Sequence, residues 1–164
     1  MSYEVEVREV APQPMVGIRR TCTMQKIQAT LAEVLGGSFA FAKRSGLEPV
    51  GPPFTIYHCS AEGEIDLEGG CPVARAPEGE PDGDVRAGEL PGGEVATTWH
   101  VGPYDGLAQA YGALQAWMSA NGREPRGAPW EVYWSDPQQE PDPAKWKTEV
   151  ILSLIHISEP TRPL

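Results

Sequence analysis

Cysteine, histidine and phenylalanine are scarce in this chain, with three of each among 164 residues. Cys22, Cys59 and Cys71 are odd in number and lack CxxC spacing, which speaks against both a zinc ribbon and a disulfide framework. His58 and His100 stand alone, with no second ligand at metal spacing, so neither a metal nor a cofactor is expected. No hydrophobic run approaches the length of a membrane span, and the opening Met1-Ser-Tyr-Glu-Val-Glu-Val7 has no charged region followed by an apolar core. Positive charge is short as well. Lys and Arg number 13 against 23 Asp and Glu, the net charge is −10, and the basic residues are scattered. Phosphate backbones and anionic lipid would be repelled, so direct nucleic-acid and membrane binding are excluded and cationic partners are mildly favoured. These absences leave a soluble, reduced, cytoplasmic protein as the expectation.

What the chain has is a duplication. Gly122 to Tyr133 aligns without gaps on Gly46 to Tyr57, with Gly46/Gly122, Glu48/Glu124, Pro49/Pro125, Gly51/Gly127, Pro53/Pro129 and Tyr57/Tyr133 identical. Phe54 answers Trp130, Ile56 answers Val132, and Thr55 stands where the second copy has Glu131. At this length one compact core of two halves is expected, with pseudo-repeats 1–74 and 84–151 joined by a Pro-, Gly- and acid-rich linker at 75–83. In each half the spacing predicts two strands forming a hairpin, a helix, and two more strands. Tyr3 to Val10 alternates as a strand, Met15 to Thr21 is expected to pair back on it, and Thr23 caps a helix running to about Gly46, with Gly36-Gly37 a place for a kink or break. Leu107, Tyr111, Leu114, Trp117 and Met118 give the second helix an apolar stripe that places them in the core, with Trp130 and Trp134 packed under the helices. The order predicts an α+β fold, a mostly antiparallel sheet with two helices on one face and a central groove.

Trp130-Glu131-Val132-Tyr133 carries the chemistry. Alternation puts Glu131 and Tyr133 on one face of a half-buried strand, where a carboxylate loses hydration worth several kcal/mol. It must be paired, protonated or awaiting a ligand. The bland alternative is a salt bridge to Arg19 or Arg123, and Glu149 is most simply an exposed or cross-strand-paired acid. The functional alternative is a groove in which Glu131, Tyr133, Tyr57 and Thr55 meet, walled by Trp99 and Tyr104. Aromatic faces around a desolvated carboxylate suit a hydrophobic, cationic aromatic molecule. The same atoms suit hydrolysis, with Glu131 as general base and Tyr133 or Tyr57 holding the water or supplying a proton.

His100-Val-Gly-Pro-Tyr-Asp-Gly-Leu107, Gly122 through Tyr133, Asp136-Pro137 and Trp146-Lys-Thr-Glu-Val150 together resemble the GyrI-like small-molecule-binding superfamily, the effector-binding domain of AraC- and MerR-type multidrug regulators. The resemblance spans residues 1–151. It implies two repeated units whose groove binds a small molecule, with Glu131 at its centre. A stand-alone member would be a binding protein, a hydrolase of strained cyclopropane-bearing natural products, or a partner of a protein such as DNA gyrase. Leu152 to Arg162 resembles the translation of a sequencing adapter, so 152–164 is expected to be a non-native tail.

Overall fold

The computed structural model describes residues 3–58, 63–79, 81, 83–135 and 139–155. Cys59, Asp136-Pro137 and residues 156–164 of the expected tail lie outside these. In chain order the elements are β1 (Glu6–Val10), β2 (Gln13–Cys22), α1 (Ile27–Arg44), β3 (Phe54–His58) and β4 (Ile65–Pro72) in the first half. β5 (Arg86–Leu90), β6 (Gly93–Val101), α2 (Leu107–Ala120), β7 (Trp130–Tyr133) and β8 (Lys147–Ser153) follow in the second. A 3-10 turn precedes each helix, at Met24–Lys26 and Tyr104–Gly106. No helix among the described residues is long and apolar enough to cross a membrane.

All strands join one antiparallel sheet in the order β1-β6-β8-β7-β3-β4-β2-β5. This corrects the expected hairpins. β1 pairs with β6 and β5 with β2, so each half lends a strand to the other. The connection explains why. A tight hairpin needs left-handed residues in its turn, whereas Ala11-Pro12 offers none and Pro12 is fixed at negative φ. The chain instead crosses from Val10, beside Gly93, to Gln13, beside Leu90, while Pro91-Gly92 crosses the other way. Short links between strands at opposite ends of the order require the sheet to curl.

Period-two alternation divides the residues between two faces. Ile18, Gly69, Thr55, Glu131, Val150 and Thr98 form one row across the strands, and its ends carry the helices. α1 packs Val34, Phe41 and Ala42 with Val16, Ile18 and Leu67. It runs unbroken through Gly36-Gly37, since this packing outweighs a propensity penalty of roughly 2 kcal/mol. α2 packs Leu107, Ala110, Leu114 and Met118 with Ala96, Val150 and Leu152. The opposite face has its own cluster of Met15, Phe54, Val95, Trp130 and Ile151, with Ile56 and Val132 beside it. Trp130 therefore lies away from the helices, contrary to expectation, because it is one residue out of step with Glu131. Trp134 is half exposed.

The halves carry matched backbone bonds: Val50 N donates to Pro72 O and Arg126 N to Ser153 O, while Ala74 N donates to Glu48 O and Ile155 N to Glu124 O. Leu152, Ser153 and Leu154, assigned by sequence to the adapter-like tail, are buried here, and Leu154 packs in the α2 cluster. The fold thus continues past Ile151 to at least Ile155.

Candidate functional site

Glu131 sits at the seam of the halves, where β7 pairs with β3 and Thr55 is its direct cross-strand neighbour. It is only 5% exposed. Neither arginine of the bland reading reaches it: Arg19 forks onto Asp66, and Arg123 pairs with Glu94. The carboxylate is instead held by phenols. Tyr111 Oη donates to Oε2 at 2.6 Å and Tyr133 Oη to Oε1 at 2.9 Å. Tyr57, on the same face of β3, contributes a third hydroxyl to the carboxylate's environment.

Burial pushes the Glu131 pKa up, against hydrogen bonds from Tyr111, Tyr133 and Tyr57 and the influence of His100, all of which favour the anion. The pKa values of Tyr57, Tyr111 and Tyr133 are all raised, first by burial and then by the Glu131 charge, which keeps these phenols protonated as donors. The arrangement is a carboxyl group in a ring of neutral hydroxyls, with no cationic side chain paired to it among the described residues. Thr148 Oγ1, on the same face, is buried and has no hydrogen-bond partner among them.

The structure brings together Glu131, Tyr133, Tyr57 and Thr55. Tyr104 lies at the rim, its ring centroid 5.8 Å from that of Tyr133 and 4.9 Å from that of Trp146. Trp99 is not brought to the site. On β6 it is Thr98 and His100 that face the helices, so Trp99 points to the other side, where it packs on Trp134 with centroids 5.8 Å apart. Glu149, the cross-strand neighbour of Trp99, is buried, not exposed, with Arg8 Nη1 2.9 Å from Oε2 and the Trp134 indole donating to Oε1. Tyr111 is the residue that sequence reading missed, having placed it in the core. Its ring does pack there, but a hydroxyl on a buried stripe requires a partner, and the buried carboxylate of Glu131 was the place to look.

His100 closes one end of the groove. It is buried, its Nε2 lies 2.8 Å from Pro103 O, and its Nδ1 lies 2.9 Å from Tyr3 Oη. In a neutral ring both contacts are met with Nε2 donating to the carbonyl and Nδ1 accepting from the phenol. A Cβ at Gly106 would come within 2.7 Å of the imidazole, so glycine is what lets α2 begin this close to the ring. No group of His, Cys, Asp and Glu among the described residues is arranged to hold a metal ion.

Comparison with known proteins gives this geometry a family. Residues 3–155 match the model of the GyrI-like small molecule binding domain. The crystal structure of the EcmrR C-terminal domain superposes with a TM-score of 0.82 at 24% identity, covering 96% of this chain and 100% of that one. EcmrR in a DNA complex gives 0.81 at 25% identity, covering 93% of this chain but 57% of the regulator. SAV2435 bound to tetraphenylphosphonium gives 0.67 at 12%, covering 94% and 95%, and a hydrolase from Listeria innocua gives 0.62 at 17%, covering 93% and 92%. No curated protein matches. The chain belongs to the GyrI-like small-molecule-binding domain family.

Proposed function

We propose that this domain binds hydrophobic organic cations, with Glu131 as the countercharge. The observation that carries the reading is a buried carboxylate whose hydrogen-bond partners among the described residues are neutral phenols. A charge removed from water and left without a counterion is costly in the empty protein, and a cation entering the groove supplies the missing partner. The phenols keep the carboxylate oriented, and an aromatic ring that meets the bound cation adds roughly 0.5 to 2 kcal/mol. That SAV2435 binds tetraphenylphosphonium on a similar fold supports the choice of ligand class.

Titration with tetraphenylphosphonium and cationic dyes, followed by tryptophan quenching, tests this. The parent should saturate at micromolar ligand, and Glu131→Gln should lose at least about 1.4 kcal/mol, a tenfold weakening. Equal binding by both proteins would refute the role of the charge.

A second reading rests on the raised Glu131 pKa beside the Tyr133 hydroxyl. Such a carboxylate is a stronger base than an exposed one. In a hydrolase of strained rings it would take a proton from the attacking water while a tyrosine protonates the departing carbon. Product analysis separates the two, since a receptor returns its ligand unchanged.

A further inference from the structure

The pseudo-symmetry of the halves distinguishes the two ends of the groove. In the second half a cross-strand row on the helix-facing side runs from His100 through Thr148 to Tyr133. The matching row in the first half runs from Arg20 through Leu67 to Tyr57. The first of these ends is plugged: His100 is 6% exposed and is bridged to Tyr3 and Pro103, with Gly106 against its ring. At the other end Arg20 turns outward to Glu33 on α1 and to Asp84, at 3.2 and 2.8 Å. What remains there is a cleft of about 370 Å³ lined by Arg20, Cys22, Thr23, Lys26, Thr30 and Glu64, among others.

We infer that this cleft, at the start of α1, is the entrance through which ligands reach Glu131. Cys22 lies two residues beyond Arg20 on the same face of β2 and packs, like Tyr57, against the α1 core cluster. From Arg20 to Tyr57 is two strand spacings, about 10 Å, and Glu131 lies on the next strand beyond β3. The turn above the cleft is lightly held: Met24 is 70% exposed, and Thr23 makes no side-chain cap hydrogen bond. A ligand passing beneath this turn crosses Leu67 and then meets Tyr57 and Glu131. The entrance thus rests on the receptor reading for its purpose and on the fold for its position.

Cys22 supplies the test. In the full chain with Cys59→Ser, and with Cys71 buried, Cys22 is capped either with a small methylthio group or with a bulky maleimide. Two readouts follow. Without ligand, hydroxyl-radical footprinting of Tyr57 should fall several-fold in the bulky adduct relative to the small one, while oxidation of exposed Trp134 stays unchanged. With tetraphenylphosphonium, stopped-flow tryptophan quenching should show association slowed about tenfold by the bulky cap, at the slow end of the range spanned by variants of one site. Equal Tyr57 oxidation in the two adducts would overturn the entrance whether or not any cation binds. Normal association into the bulky adduct, alongside loss of binding in Glu131→Gln, would overturn it while leaving the receptor reading intact. Failure of tetraphenylphosphonium to bind the parent, with Tyr57 still shielded, would do the reverse.

Discussion

At the scale of single residues, Glu131 gives up stability that a neutral isostere would keep. Its folded pKa lies above the ordinary carboxylate value, so between the unfolded and folded values the native state holds the proton more tightly. Stability contributed by this group is therefore present at low pH and is lost as pH rises through the folded pKa. Glu131→Gln should melt at a higher temperature than the parent at neutral pH, and the two should converge at acid pH; a variant less stable than the parent at pH 7 would contradict the desolvation argument. Tyr111 works in the opposite sense. Its hydrogen bond favours the anion, so Tyr111→Phe should raise the Glu131 pKa further and move the acid limb of cation binding to higher pH. A hydrogen bond to a charged group is worth about 1.5 to 3 kcal/mol, so affinity should also weaken measurably near that limb. A binding profile in Tyr111→Phe that overlays the parent's at every pH would remove Tyr111 from the site.

At the scale of elements, the crossing of the β1–β2 and β5–β6 connections is the least forgiving part of the fold. A Cβ at Gly92 would stand 2.5 Å from Pro12 Cδ and 2.7 Å from its backbone nitrogen. Gly92→Val should therefore cost roughly 1 to 3 kcal/mol, the usual penalty for overpacking. Gly36, in α1, has nothing within 4 Å of the same position, and Gly36→Ala should add about 0.5 to 1 kcal/mol through helix propensity. Urea unfolding of both variants measures the contrast. The same crossing marks where sequence ran out. Strand identities, both helices and the face shared by Glu131 and Tyr133 were legible, because each follows from periodicity within one segment. The partner of β1 was not, because alternation in Val5 and Val7 is equally satisfied by any neighbour; only the unsuitability of Ala11-Pro12 as a hairpin turn hinted at an exchange. Trp99 was misplaced for a related reason. Proximity in sequence to the start of α2 says little about face, whereas its parity with Glu149, opposite to that of Val150, decides it.

At the scale of the whole molecule, the site and the exchange of strands make the halves interdependent. Tyr57 and Thr55 come from the first half, Glu131, Tyr133 and Tyr111 from the second, and they meet only because β3 pairs with β7. The cluster on the opposite face is likewise shared, with Met15 and Phe54 from one half against Val95, Trp130 and Ile151 from the other. If the chain is cut within the linker, the fragment 1–80 keeps β1 without β6 and β2 without β5, while 81–164 keeps β6 without β1 and β5 without β2. Each would expose the inner half of a core and unpaired sheet edges, and a structure of that kind is not independently stable. Neither fragment should show cooperative thermal unfolding by circular dichroism alone. An equimolar mixture should recover a melting transition and, with it, quenching by tetraphenylphosphonium, because Glu131 regains Tyr57 and Thr55 only when β3 and β7 are rejoined. A cooperative melt from 1–80 alone would show that the first half is a domain in its own right and that its exchange of strands with the second is dispensable. Recovery of the melt without recovery of binding would instead separate the fold from the receptor reading and leave hydrolysis to be tried next.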